Sequence, residues 1–200
     1  MKKTTTITYT SRKGLTYYLC KRKTKTGKPR FYFARSLKGE PVEEIPDGYE
    51  IRESVNGIVS LAKARPMKIL PSEANLVKEA LKKHPKANRF RVNVKHDRIL
   101  VYELVGPDTE TLSGIFGNEN TASPELFERI RANEERYGQY RAMLQFILHD
   151  KKTRTFQAER ANYHGPIDGW LPIRFDQPLS ELSQDLIPLL GTDLFYELYI

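Results

Sequence analysis

Residues 15–38 read LTYYLCKRKTKTGKPRFYFARSLK, and this stretch decides how the N-terminal part of the chain folds. Two aromatic runs, Tyr17-Tyr18 and Phe31-Tyr32-Phe33, flank a linker that contains a glycine and a proline. Aromatic residues favour strands, and such a linker between two aromatic runs is typical of a β-hairpin. We therefore predict two antiparallel strands. Because strand side chains alternate between faces, the predicted buried set is Leu15, Tyr17, Leu19, Phe31 and Phe33, with Tyr18 and Tyr32 on the other face.

The same hairpin holds much of the positive charge of the chain. Residues 1–39 contain twelve Lys or Arg and no Asp or Glu, and the first acid is Glu40. The chain carries a net charge of +8, so residues 40–200 sum to −4. Cations beside flat aromatic rings are what a protein needs to neutralise phosphates and stack on bases. The predicted nucleic-acid-binding residues are Arg12, Lys13, Tyr18, Lys21, Arg22, Lys23, Lys25, Lys28, Arg30, Tyr32 and Arg35.

Two other interpretations of these cations stay open. A solvated edge hairpin uses lysines to prevent edge-to-edge aggregation, without any ligand. An acidic protein partner would also complement the charge. Within the nucleic-acid hypothesis, the sequence does not distinguish DNA from RNA.

The stretch GLTYYLCKRKTKTGKPRFYFARSLKG resembles the three-stranded arm-binding domain of tyrosine recombinases. In that family a basic sheet contacts DNA. The resemblance covers this stretch alone and includes no specific motif. No recombinase catalytic core follows in the chain, and no residue role is carried over from the family.

The rest of the chain predicts an α+β protein in two parts. Alternating runs at Tyr49–Glu53 and Ile58–Ala62 complete an antiparallel meander of about five strands, a sheet that could close into a barrel-like module. After Pro66 the pattern changes to a helix from Ser72, two further hairpins, and an apolar helical stripe near the C-terminus. We therefore predict a basic antiparallel β module over residues 1–66. An α+β body with C-terminal helices is predicted over residues 67–200.

A second functional hypothesis is a protein-interaction or regulatory subunit. Its docking surface would be the apolar C-terminal helices together with the loop at residues 106–122, because long loops are often functional. A third hypothesis is a motif-poor enzyme that uses His149, Asp150, His164 and Asp168.

Catalysis is the least supported of these hypotheses. Asp150 and Asp168 stand at predicted turns, where Asp is favoured for conformational reasons alone. The chain contains no phosphate-binding Gly-Lys-Ser/Thr loop, no nucleophile elbow and no metal-ligand spacing. We therefore expect no catalytic residue, cofactor or metal.

The composition predicts a cytoplasmic protein with no membrane partner. No apolar run reaches the roughly 18–20 residues that a membrane span requires. The N-terminus lacks the apolar core of a signal peptide. The single Cys20 cannot form an internal disulfide, so nothing calls for an oxidising compartment.

Overall fold

A computed structural model describes residues 6–106, 124–162 and 169–198. The chain divides into two compact units: Met1–Arg65 with Thr109–Gly138, and Pro66–Asp108 with Gln139–Ile200. Both contain antiparallel strands and helices, which confirms the predicted α+β class. The helix Pro124–Tyr137, which falls within the predicted body at residues 67–200, is grouped with the N-terminal strands. Whether the two units behave as independent domains stays a prediction.

The first unit contains the predicted hairpin within a four-stranded sheet. The strands are β1 (Thr8–Thr10), β2 (Thr16–Lys23), β3 (Pro29–Ala34) and β4 (Glu40–Pro41), and β2 pairs with each of the other three. A second hairpin consists of β5 (Tyr49–Glu53) and β6 (Val59–Lys63). Helix α2 (Pro124–Tyr137) completes the described part of this unit.

The described strands of the first unit do not close into a barrel. Among the described residues, the outer edge of β3 pairs with no strand, and β1 and β4 share the opposite edge of β2. A sheet closes only when its two edge strands can pair with each other. Here β5 and β6 instead form a separate two-stranded sheet, so both sheets stay open.

The glutamate at the end of β5 joins the two sheets of the first unit. The Glu53 carboxylate accepts hydrogen bonds from the Tyr9 hydroxyl at 2.9 Å and from the backbone N–H of Arg12 at 2.8 Å. The rings of Phe31 and Tyr49 also meet, with 6.3 Å between their centroids. Leu19 is fully buried in this unit, as predicted. The other four residues of the predicted buried set are only half-buried, because this small unit has little core to cover them.

The second unit is a five-stranded antiparallel sheet that carries helices. Its strands, in the spatial order β11-β10-β9-β8-β7, are β7 (Phe90–Lys95), β8 (Arg98–Leu104), β9 (Tyr140–Asp150), β10 (Thr155–Asn162) and β11 (Gly169–Pro178). The α-helices are α1 (Pro71–Lys82), α3 (Leu179–Leu186) and α4 (Asp193–Tyr196). Two 3₁₀ helices span Ala87–Arg89 and Ile187–Leu189.

The core of the second unit lies between alternate strand residues and the helices. Strand side chains such as Ile99, Phe146 and Phe156 are fully buried in one cluster with Val77 of α1 and Leu182 of α3. Leu186, Leu190 and Phe195 near the C-terminus belong to the same cluster. The apolar C-terminal residues therefore pack against their own unit.

A single carboxylate both caps helix α1 and fastens the β9–β10 turn to it. The Glu73 side chain accepts a hydrogen bond from the backbone N–H of Leu70 at 2.8 Å, which satisfies one free donor at the helix start. Arg154 donates to the same carboxylate through Nε at 2.9 Å and Nη2 at 2.6 Å. The helix therefore begins at Pro71, slightly before the predicted Ser72.

We expect Arg154→Ala to lower the free energy of unfolding by about 1–3 kcal/mol. The reason is that the change leaves the Glu73 carboxylate, whose side chain is only 12% exposed, without its guanidinium partner. Urea unfolding followed by circular dichroism measures the effect. The exposed neighbour Lys152 provides the control, because Lys152→Ala should change stability by less than about 0.5 kcal/mol. Equal stability of the two variants would contradict the assigned role of this ion pair.

Candidate nucleic-acid interface

The tip of the β2–β3 hairpin has a defined turn geometry. The backbone N–H of Thr24 donates to the Lys28 carbonyl at 2.9 Å, and that of Gly27 donates to the Thr24 carbonyl at 3.0 Å. Gly27 has a positive φ of 77°, as the third residue of such a hairpin loop requires. The Thr24 hydroxyl adds a third hydrogen bond, to the Lys28 carbonyl at 3.0 Å. These bonds fix the backbone that carries the cations.

Four cations are exposed at and beside this turn: Lys23, Lys25, Lys28 and Arg30. No ion pair among the described residues includes any of these four side chains. We call these four residues the cationic tip. Arg35 is also exposed, just beyond the end of β3.

Lys21 and Arg22 lie on the same hairpin but already have intramolecular contacts. Lys21 is half-buried, and its Nζ lies 3.9 Å from Oε1 of Glu40. The guanidinium carbon of Arg22 lies 5.4 Å from the centroid of the Tyr32 ring, within cation–π distance. A phosphate would compete with these contacts, so we place both residues at the edge of the interface.

The two tyrosines predicted to stack on bases are half-buried rather than outward-facing. One face of the Tyr32 ring lies under Arg22, and its hydroxyl donates to the Lys38 carbonyl at 3.5 Å. Tyr18 pairs with Thr8 on one side and with Ala34 on the other. Stacking on the face of Tyr32 that Arg22 covers would require Arg22 to move. The hairpin therefore exposes its charged groups more fully than its aromatic rings.

The loop before β4 covers the Tyr32 hydroxyl closely. A Cβ atom added at Gly39 would lie 2.6 Å from that hydroxyl oxygen and 3.0 Å from the Lys21 carbonyl oxygen. Beside them, Cys20 is fully buried. Position 39 therefore needs a glycine because a larger side chain has no room there, and not because of its backbone conformation.

We expect Gly39→Ala to lower the free energy of unfolding by about 1–3 kcal/mol, because the new methyl group overpacks this site. Adding Tyr32→Phe removes the nearer of the two clashing atoms, so it should restore part of the stability. Urea unfolding of the single and double variants measures both effects. Full stability in Gly39→Ala, or no recovery in the double variant, would show that the loop does not press on this ring.

Arg12 and Lys13 lie in the β1–β2 turn, where they contact the end of helix α2. Arg12 Nη2 donates to the Gly138 carbonyl at 3.3 Å, and the Lys13 carbonyl accepts from Arg136 Nε at 2.9 Å. A cation near the C-terminal end of a helix is favoured by the helix dipole. The two residues thus have a structural role that sequence inspection missed, since their partners lie more than 120 residues away.

Of the four residues in the enzyme hypothesis, the structure describes His149 and Asp150. His149 is exposed on β9. Asp150 accepts hydrogen bonds from the backbone N–H groups of Lys152 and Thr153, which lower the pKa of its carboxyl group. His164 and Asp168 lie outside the described residues. Within the described ranges no group of three or more His, Cys, Asp or Glu residues is arranged to hold a metal ion.

The predicted partners depend on a docking loop and on the absence of a membrane-spanning helix. Of the loop at residues 106–122, all but Gly106 lies outside the described residues. None of the helices in the described part of the chain combines the length and apolar character needed to cross a membrane.

No family model matches this chain, and neither a curated protein nor a solved structure matches it. Its function is therefore inferred from its own charge and geometry.

Proposed function

We propose that the protein is a non-catalytic nucleic-acid-binding accessory protein that contacts phosphates through its basic hairpin. The cationic tip is the observation that carries this proposal. Its four exposed cations stand on a hydrogen-bonded turn, and no described acid neutralises them. The proposed location is the cytoplasm, where the free thiol of Cys20 would stay reduced.

The hairpin register adds a second physical reason. Arg22 and Arg30 are directly paired across β2 and β3. Like charges opposite each other on neighbouring strands are destabilising. A solvated edge needs only scattered lysines, whereas a phosphate bound beside this arginine pair would offset the repulsion. The register therefore favours a polyanion ligand over a merely solubilising edge.

The geometry of the hairpin favours duplex DNA among the nucleic acids. The major groove of B-DNA admits a two-stranded β-ribbon, whereas the major groove of A-form RNA is too narrow for side chains to read. Single strands are usually bound by stacking on exposed rings. The candidate rings Tyr18 and Tyr32 are half-buried, so we expect single strands to bind more weakly than duplex DNA.

Fluorescence anisotropy with labelled oligonucleotides tests the proposal. Single- and double-stranded DNA and RNA of equal length are titrated with the protein over a salt series. Duplex DNA should bind most tightly, and its logarithmic salt slope should be about −0.9 for each phosphate neutralised. Affinity for none of the four nucleic acids, or affinity that does not change with salt, would overturn the proposal.

A further inference from the structure

One end of the core layer in the second unit consists of charged residues. Along β8 the helix-facing positions Ile99 and Val101 are followed by Glu103, and along β10 the buried Phe156 and Ala158 are followed by Arg160. Only 3% of the Arg160 surface is exposed. Its Nε donates to the Leu198 carbonyl at 3.1 Å. A guanidinium is thus buried at the margin of an apolar core.

A cavity of about 470 Å³ opens at this margin, within the size range of small-molecule sites. Three arginines line it, Arg89, Arg141 and Arg160, and Glu103 is the one carboxylate among the described residues of the lining. Glu103 lies opposite Arg141 in the register of β8 and β9, and its Oε1 lies 3.7 Å from Arg89 Nε. The described ionised residues that line the cavity therefore carry a net charge of +2.

Tyr196 adds a neutral hydrogen-bond donor to the same wall. Burial, and then the nearby Glu103, raise the pKa of its phenol, while Arg141 and Arg160 act in the opposite direction. The phenol therefore stays protonated at neutral pH. It can donate a hydrogen bond to an anion that the arginines hold.

Apolar side chains form another part of the cavity wall: Leu104, Val105, Met143 and Ala161. A free inorganic ion would leave this apolar wall in contact with water. A ligand with an anionic head and an apolar or aromatic body would use both parts of the cavity.

From the charge and shape of this cavity, we propose that it binds a small organic phosphate monoester. A monoester phosphate carries a charge near −2 at neutral pH, which balances the net charge of the wall. Arginine is suited to it, because the guanidinium can bind phosphate oxygens in a bidentate manner. This site lies in the second unit and is independent of the nucleic-acid proposal.

Isothermal titration calorimetry of the full chain with phenyl phosphate tests the site. Phenyl phosphate should bind saturably and more tightly than inorganic phosphate, because its ring buries apolar surface. Phthalate, an aromatic dicarboxylate of similar charge, is the comparison that distinguishes phosphate from carboxylate recognition. No saturable binding at millimolar phenyl phosphate, or tighter binding of phthalate, would overturn the proposal.

Arg141→Gln is the diagnostic variant, because Arg141 is exposed and its replacement should not disturb folding. Removal of one charge-assisted hydrogen bond should weaken phenyl phosphate binding about ten- to a hundredfold. Lys152→Gln, with the same change of charge on the β9–β10 turn, should bind like the wild type. A protein with all four tip cations changed to Gln should also bind like the wild type, which separates this site from the hairpin. Unaltered binding by Arg141→Gln would contradict the assignment.

Discussion

Replacing Lys23, Lys25, Lys28 and Arg30 together by Gln is expected to abolish most of the affinity for duplex DNA. All four side chains are exposed, and none belongs to a described ion pair, so the fold should be retained. Each phosphate that the variant no longer neutralises should flatten the logarithmic salt slope by about 0.9. Anisotropy titrations of the two proteins over the same salt series measure the change in affinity and slope.

A variant with the same change of charge elsewhere controls for the general attraction between a basic protein and DNA. Lys78, Lys86, Lys151 and Lys152 are exposed and belong to the second unit, not to the hairpin. Changing all four to Gln lowers the net charge equally. This control should keep most of the affinity and a steep salt slope. An equal fall in affinity in the two variants would show that net charge, rather than the cationic tip, determines binding.

Deleting residues 179–200 is expected to prevent the second unit from folding cooperatively. The deletion removes six buried apolar side chains: Leu179, Leu182, Leu186, Ile187, Leu190 and Phe195. At about 1.5–3 kcal/mol for each buried side chain, the deletion costs about 9–18 kcal/mol. A typical domain is stable by only about 5–15 kcal/mol. Calorimetry and near-ultraviolet circular dichroism should therefore show no cooperative transition for this unit.

Two single substitutions test the same packing without removing a segment. Leu182 of α3 is fully buried, whereas Leu194 of α4 is 60% exposed. Leu182→Ala should cost about 2–5 kcal/mol, and Leu194→Ala should change stability by less than about 0.5 kcal/mol. Similar costs for both would contradict the packing of these helices. A truncated protein that unfolds cooperatively would instead favour the hypothesis of a protein-interaction subunit.

The sequence by itself determined the hairpin and the separation of charge. Strand alternation and turn chemistry act over a few residues, so the aromatic runs and Gly27 predict β2 and β3 closely. The separation of charge follows from counting acidic and basic residues along the chain, which requires no knowledge of the structure. For the same reason the amphipathic C-terminal stripe predicts a helix, since a helix shows its period within a few turns. The α+β class follows from these local patterns.

Only the tertiary structure decided how each cation is used. Arg12 and Arg30 look equivalent in the sequence, yet Arg12 contacts Gly138, 126 residues away, while Arg30 is exposed at the hairpin. Tyr32 is half-buried because the later Gly39 lies against its hydroxyl. The open edge of β3 also depends on which strands meet in space.

The cavity in the second unit is the feature that the sequence predicted least. Arg89, Arg141 and Arg160 are far apart in the sequence, with no spacing that relates them. They line one cavity because antiparallel pairing brings the ends of β8, β9 and β10 together, beside the segment that leads into β7. Residues distant in sequence become neighbours through sheet register and packing, and a periodic pattern in one segment contains no information about its partner strand.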